Sequence, residues 1–114
     1  MTTNVSGVPD VLSAAAEPTR RRILQLLTAG PQTVNDLAGR FSVTRSAISQ
    51  HLGVLVEVGL LTRRKEGRQQ FYALRPAGMT RLRSEIDKFW TDELDQLVAD
   101  AHDIARNRNT KDPT

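Results

Sequence analysis

Residues 33–59 read TVNDLAGRFSVTRSAISQHLGVLVEVG. In both halves of this stretch the apolar residues recur every three or four positions, as they do along one face of an amphipathic helix. A short polar turn, residues 42–44, separates the two halves, and the second half has small and polar side chains on its other face. This pattern is typical of a helix-turn-helix, in which the second helix enters the major groove of DNA.

Two capping signals indicate where these helices begin. Thr33 and Asp36 have the spacing of a capping box, in which the N-cap hydroxyl and the acidic side chain each accept the other residue's backbone amide. Thr44 is a suitable N-cap for the second helix. The sequence therefore predicts one helix over residues 33–41 and a second that runs from Thr44 to Gly59.

The segment before this motif reads as two further helices, over residues 9–16 and 18–29. A proline at its start and a Gly-Pro pair after its end mark the limits of the second of these helices. Arg20, Arg21 and Arg22 lie near its N-terminus, where the helix dipole disfavours cations. We therefore expect at least two of the three arginines to have structural partners.

Residues 60–75 change from the helical period to the alternation of β-strands. Residues 61–65 and 69–74 read as a hairpin whose connection contains Gly67. Residues 61–76 hold five basic side chains and one acidic, a local charge of +4 in a chain of net charge +3. Concentrated positive charge attracts phosphate, although a solvated hairpin without a partner is the alternative. The predicted fold is mainly α with a two-stranded β wing, a winged helix-turn-helix.

A last long helix is predicted over about residues 77–105, with an apolar stripe that so small a domain cannot cover. A second copy of the chain, paired about a two-fold axis, would cover it and would present two recognition helices to successive major grooves. The alternative is that this helix folds back onto its own domain as a monomer core. The first and last helices supply the expected dimer interface, namely Val11, Leu12, Ile86, Phe89, Trp90, Leu94, Leu97 and Ala101.

The outer face of the second motif helix and the hairpin contain the side chains suited to DNA. Arginine can bond guanine, glutamine can bond adenine, and serine can bond a base edge or a phosphate. Arg63 or Arg64 could instead pair with carboxylates on neighbouring helices, and His51 is either a packing residue or a phosphate contact. The predicted DNA-contacting set is Thr44, Arg45, Ser46, Ser49, Gln50, His51, Arg63, Arg64, Lys65 and Arg68.

Composition narrows the remaining functional classes. The 114 residues suit one domain, expected over residues 8–105, with disordered ends at 1–7 and 106–114. The chain contains no cysteine, no apolar run long enough for a membrane span and no signal peptide, which predicts a cytoplasmic protein. It also has no catalytic triad spacing and no glycine-rich phosphate loop, so neither enzymatic activity nor a cofactor is predicted.

The last helix also contains carboxylates and one histidine, which in principle suit a divalent cation. The candidates are Asp87, Asp100, His102 and Asp103. Each chain offers only one nitrogen ligand there, so a solvated acidic face is preferred and no metal site is predicted.

Four segments closely resemble the ArsR-type (ArsR/SmtB) winged-helix repressors: EPTRRRILQLL (17–27), VNDLA (34–38), VTRSAISQHLGVLVEVGLL (43–61) and EGRQQFYAL (66–74). The resemblance extends from residue 9 to about 104. It implies a homodimeric bacterial or archaeal transcription factor, often repressing its own operon, that pairs through its first and last helices. It further implies that Ser46, Ser49, Gln50 and the wing arginines contact DNA.

This chain differs from the metal sensors of that family, which place cysteines on the helix before the recognition helix. Other members use aspartate and histidine on the last helix, but this chain has too few histidines for that pattern. The resemblance is therefore to the non-cysteine branch, in which the inducer is unknown or absent.

The combined prediction is a homodimeric DNA-binding regulator that binds a pseudo-palindromic operator and represses its own gene. Its predicted partners are double-stranded DNA and a second copy of the chain, and the sequence identifies no small-molecule or metal effector. Two alternatives remain open. One is a metal-responsive repressor that uses the Asp and His side chains of the last helix. The other is a winged-helix module that binds another protein.

Overall fold

The computed structural model describes residues 10–111, and the side chains of residues 10–107. The chain divides into two compact units, one ending at Leu82 and the other beginning at Arg83. The single domain expected over residues 8–105 stays a prediction. The ends expected to be disordered at 1–7 and 112–114 lie outside the described residues.

Two helices open the first unit. Helix α1 spans Val11–Ala16, and helix α2 spans Pro18–Leu26 and continues as a 3₁₀ turn over Leu27–Ala29. Helix α1 begins later than the expected residue 9 because Asp10 caps it, its Oδ1 accepting the Ser13 amide at 2.6 Å. The predicted second helix is confirmed.

The helix-turn-helix follows with the predicted starts. Helix α3 spans Val34–Ala38, and the reciprocal bonds of its capping box, between Thr33 and Asp36, are both 3.1 Å long. Helix α4 spans Arg45–Glu57, and the Oγ1 of Thr44 accepts the Ala47 amide at 3.0 Å. Helix α3 is shorter than the predicted 33–41, because residues 39–40 form a turn that ends it.

The wing is part of a three-stranded sheet. Strands β2 (Leu61–Glu66) and β3 (Gln69–Leu74) form the predicted antiparallel hairpin, with Gly67 at φ 62° in the turn. A short strand β1, Gln32–Thr33, pairs with the other edge of β3, in the order β1-β3-β2. The predicted two-stranded wing is confirmed. Strand β1 was not predicted, because two residues are too few to show the alternation that marks a strand.

The hydrophobic core lies within the first unit and determines how α4 is oriented. Side chains from α2, α3, α4 and β2 are buried together, and Tyr72 from β3 closes the cluster. Val11, expected at the dimer interface, is also buried in this core, because α1 packs its apolar face on α2 and α4. Leu12 remains partly exposed. The fully buried residues with the largest side chains are Ile23, Leu37, Ile48, Leu52, Leu55, Leu60 and Leu61.

The segment that leads to the last helix is fixed against the C-terminal end of α4. Helix α5 spans Pro76–Lys88, and its first turns pack so closely that a Cβ on Gly78 would lie 2.0 Å from the carbonyl oxygen of Gly59. Two hydrogen bonds hold this contact: the Arg75 amide donates to the Leu60 carbonyl at 2.9 Å, and the Arg81 guanidinium donates to the Val58 carbonyl.

The predicted last helix is longer than expected and is interrupted. After α5 the backbone forms a π-helical turn over Phe89–Glu93, and α6 then spans Leu94–Lys111. Residues 106–111, expected to be disordered, are helical, since no glycine or proline ends the helix there. The apolar stripe is exposed in the single chain, with 37% to 61% of each residue accessible, and consists of Ile86, Phe89, Trp90, Leu94, Leu97, Val98 and Ile104.

Candidate nucleic-acid interface

Helix α4 has one face in the core and the opposite face in solvent. Ile48, Leu52 and Leu55 are fully buried, at positions i, i+4 and i+7 of the helix. The predicted contact residues Arg45, Ser46, Ser49 and Gln50 are exposed. Because the buried side chains fix the rotation of α4 about its axis, these four polar side chains stay directed away from the core.

An open cleft of about 360 Å³ lies between α3, α4 and the wing. Four residues of the predicted contact set line it: Arg45 and Ser49 from α4, and Lys65 and Arg68 from the wing. Its lining of described residues contains three cations and no carboxylate. The cleft is therefore an electropositive channel, which favours a strand of negatively charged nucleic acid.

Three amide side chains in the cleft were not predicted. Asn35 from the first turn of α3 and Gln69 and Gln70 from β3 contribute donors and acceptors to its walls. Gln70 pairs across the hairpin with Lys65, so the strand register alone could have associated it with the wing cations. The position of Asn35 depends on how α3 packs, which no local pattern indicates.

The wing arginines lie on opposite faces, as strand alternation predicts. Arg63 pairs with buried Tyr72 across the hairpin, and Arg64 pairs with Phe71. The Nη2 of Arg64 lies 2.7 Å from Glu66 Oε2, and its guanidinium carbon lies 5.9 Å from the centre of the Phe71 ring. The carboxylate partner of Arg64 is thus on its own strand, because alternate residues share a face, and not on a neighbouring helix as considered. Exposed ion pairs contribute little, so this arginine can exchange its partner for a phosphate.

His51 has an intramolecular environment, as in the packing alternative. The guanidinium of Arg20 lies 3.2 Å from His51 Nδ1, and Glu17 Oε1 lies 3.9 Å from the same nitrogen. Arg20 therefore has the structural partner expected of it. The side chains of Arg21 and Arg22 are exposed and have no hydrogen bond or ion pair within residues 10–107. One of the three arginines therefore has a structural partner for its side chain, where at least two were expected.

The acidic residues of the last helix do not assemble into a metal site in the single chain. Among the described residues, no three His, Asp or Glu side chains are grouped so that they could hold an ion. Asp100 accepts the side-chain amide of Gln96 at 3.0 Å, and Asp103 pairs with Arg106. Asp87 and His102, the other two candidates, are exposed on α5 and α6. In the part of the chain that the structure describes, no helix has the length and apolar character needed to cross a membrane.

Known proteins are similar to this chain in the helix-turn-helix motif and over most of its length. A family model for a helix-turn-helix domain matches residues 15–64. The HTH-type transcriptional regulator Rv2034 of Mycobacterium tuberculosis is 44% identical over 78 residues, which are 68% of this chain and 73% of that protein.

Two solved structures agree in fold. The crystal structure of a possible transcriptional regulator for arsenical resistance has a TM-score of 0.73 and 62% identity, covering 82% of this chain and 97% of that one. The homodimeric winged helix-turn-helix DNA-binding domain of Mb0332 from Mycobacterium bovis, a possible ArsR-family regulator, has a TM-score of 0.58 and 32% identity, covering 81% and 77%. The relatives are transcriptional regulators and not enzymes. With the winged helix and its electropositive cleft, these similarities show that the chain belongs to the ArsR family of winged helix-turn-helix transcriptional regulators.

Proposed function

We propose that this regulator is a homodimeric, sequence-specific repressor that binds a pseudo-palindromic operator in its own promoter. The observation that carries the proposal is the cleft in which Arg45 and Ser49 of the recognition helix face Lys65 and Arg68 of the wing. A helix in the major groove and a hairpin beside it would enclose the intervening phosphate backbone, and this cleft has the charge to hold it.

The recognition helix and the wing have different tasks in this proposal. Arg45 and Gln50, on the exposed face of α4, read base edges, because their side chains match guanine and adenine in the major groove. Lys65 and Arg68, on the wing, contact phosphate and hold the protein in register on the duplex. Ser46 and Ser49 add short hydrogen bonds close to the helix axis, and Thr44 keeps the first turn of the helix formed.

The exposed stripe of the last helix supports the homodimer. The rings of Phe89 and Trp90 are 5.4 Å apart in an edge-to-face arrangement, and about half of each residue is accessible in the single chain. Burying such aromatic surface against a second copy would stabilise the assembly by about 25 cal/mol for each Å² removed from water. A two-fold axis through this helix would repeat the recognition helix for the second half-site.

As a regulator of its own gene the protein would act in the cytoplasm and without catalysis. The operator is expected in the protein's own promoter. A dimer bound there would cover DNA that the polymerase needs, and this would repress transcription. We propose neither a metal nor a cofactor for this function.

The proposal is tested by binding to the intergenic DNA upstream of the protein's own gene, measured by fluorescence anisotropy beside a scrambled duplex. Contact with about 6–10 phosphates should reduce affinity by roughly 10³–10⁵ between 50 and 200 mM salt. Mass measurement in solution should give a dimer. A monomer that ignores both duplexes would favour the protein-interaction module instead.

Two substitutions separate base reading from phosphate contact. Gln50→Ala should weaken operator binding by about 1–3 kcal/mol and relax sequence preference, whereas Arg68→Ala should weaken all DNA alike and reduce the salt slope by about 1. Equal losses on operator and scrambled DNA for Gln50→Ala would contradict the role assigned to it.

A further inference from the structure

Three structural elements meet at the side chain of Arg20. Its Nε donates to the carbonyl oxygen of Ala14 at 2.7 Å, near the C-terminal end of α1. Its own backbone amide donates to the Oε1 of Glu17, the N-cap of α2, at 2.8 Å. One guanidinium nitrogen lies 3.2 Å from the Nδ1 of His51 on α4. The Arg20 side chain therefore connects α2, to which it belongs, with α1 and with the recognition helix.

The contact between Arg20 and His51 restricts which tautomer of the imidazole can form this hydrogen bond. A guanidinium has only donors, so the Nδ1 of His51 must accept, and it can accept only when it carries no proton. A neutral imidazole with a bare Nδ1 carries its hydrogen on Nε2. The hydrogen bond from Arg20 thus requires the tautomer that has its hydrogen on Nε2.

The remaining N–H of this ring points to no acceptor among the residues that the structure describes. No side chain or backbone group of residues 10–107 accepts a hydrogen bond from Nε2 of His51. The side chain is 23% exposed, so the ring is anchored on one edge and still accessible to a ligand. It follows Gln50 directly in the helix proposed to enter the major groove.

We propose that Arg20 is a positioning residue for operator binding, which holds His51 so that its neutral Nε2–H donates to a phosphate of the DNA backbone. This inference rests on the proposed function. It combines the packing and phosphate-contact alternatives for His51, because the two ring nitrogens have different tasks. It also predicts that His51, unlike the wing cations, does not contribute to the salt dependence of DNA binding, since a neutral donor forms a hydrogen bond without releasing a counterion.

The test is a double-mutant cycle on operator affinity with Arg20→Met and His51→Asn. Methionine keeps much of the apolar stem of Arg20 but has no donor. Asparagine can place an acceptor near the position of Nδ1 but has no group at the position of Nε2. Each single variant should weaken operator binding about threefold to tenfold, the range expected for one hydrogen bond. The double variant should bind the operator about as weakly as His51→Asn alone, because Arg20 acts only through the imidazole.

Arg22→Met is the matched control, since Arg22 is an exposed arginine of the same helix and its loss removes the same charge. It should change affinity less than Arg20→Met. His51→Asn should leave the salt slope unchanged, whereas Arg68→Ala should reduce it by about 1. Thermal unfolding of each variant determines whether the affinity loss accompanies a loss of fold.

Nitrogen NMR of the free protein gives a readout that does not depend on DNA. The Nδ1 resonance of His51 should show an accepted hydrogen bond in the wild type and lose it in Arg20→Met. His102, the only other histidine in the sequence, should not change and so serves as an internal control.

The outcomes distinguish this inference from the function on which it rests. Losses that multiply in the double variant, or a His51 resonance that ignores Arg20→Met, would overturn the positioning role while leaving the repressor proposal intact. A control variant that weakens binding as much as Arg20→Met would overturn it too. Wild-type protein that binds neither duplex would overturn both proposals.

Discussion

Gly78→Ala should destabilise the protein, although the same change in an ordinary helix is favourable. Gly78 is the third residue of α5, where alanine would normally add up to about 1 kcal/mol of helix propensity. Here the new methyl group would lie 2.0 Å from the Gly59 carbonyl oxygen and 3.0 Å from the Leu60 Cα. Both are backbone atoms, which cannot move aside as the end of a flexible side chain can.

The magnitude follows from the displacement that the methyl group requires. Ordinary contacts between carbon atoms are about 3.5–4 Å, so α5 and the end of α4 would have to separate by about 1 Å or more. Overpacking of this kind costs about 1–3 kcal/mol. The same movement would stretch the bond from the Arg75 amide to the Leu60 carbonyl, for which a further 0.5–1.5 kcal/mol is typical. After the gain in propensity, we expect a net loss of about 0.5–3.5 kcal/mol.

The assay is chemical or thermal unfolding followed by circular dichroism, at one fixed protomer concentration because a dimer's stability depends on it. Each kcal/mol should lower Tm by about 4–8 °C for a domain of this size. Gly53→Ala is the matched control: Gly53 lies inside α4, and a Cβ there meets nothing within 4 Å. That variant should gain about 0.5–1 kcal/mol. A Gly78→Ala protein as stable as the wild type, or more stable, would refute the close approach of α5 to α4.

Three further substitutions test other parts of the molecule. Thr44→Ala removes the N-cap of α4 and should cost about 1 kcal/mol of unfolding free energy, read from the shift in the urea midpoint; a cost below 0.3 kcal/mol would contradict the cap. Trp90→Ala should weaken the dimer, so that ultracentrifugation detects monomer at micromolar concentration and operator affinity falls with it; an unchanged mass would place the interface elsewhere. Glu66→Gln should leave Tm within about 1 °C, because exposed ion pairs contribute little, and should tighten DNA binding by releasing Arg64; weaker binding would show that the pair is needed intact.

The starts of the helices were predictable because the signals for them are local. Thr33 and Thr44 are followed three residues later by the amide that each hydroxyl accepts, and the structure forms both bonds. The hairpin was predictable for the same reason, since Gly67 and the alternating strands beside it lie within a few residues of each other. The end of the last helix was not predictable from its apolar stripe, which stops at Ile104 while the backbone continues to Lys111.

The features missed in the sequence depend on contacts between distant residues. Strand β1 exists because Thr33 pairs with Phe71, 38 positions later in the numbering. Arg20 and His51 are 31 positions apart, and only the packing of α2 on α4 brings them together. The cleft could be predicted in part, because the residue types of α4 and the wing indicated DNA, but its floor from α3 could not.

Thr33 belongs at once to strand β1, to the capping box of α3 and to the wall of the cleft. Through Thr33, the base of the hairpin is joined to α3, the helix that precedes the recognition helix. The end of the wing nearest the core is therefore held in place. Its outer part, about four residues or roughly 13 Å from Phe71 to the turn, extends beyond strand β1. Under the proposed function, a wing with so short an unsupported part would adjust little to the position of the DNA backbone. The bending needed to reach Arg68 then falls on the DNA, and flexible operators should be preferred even at base pairs that no side chain touches.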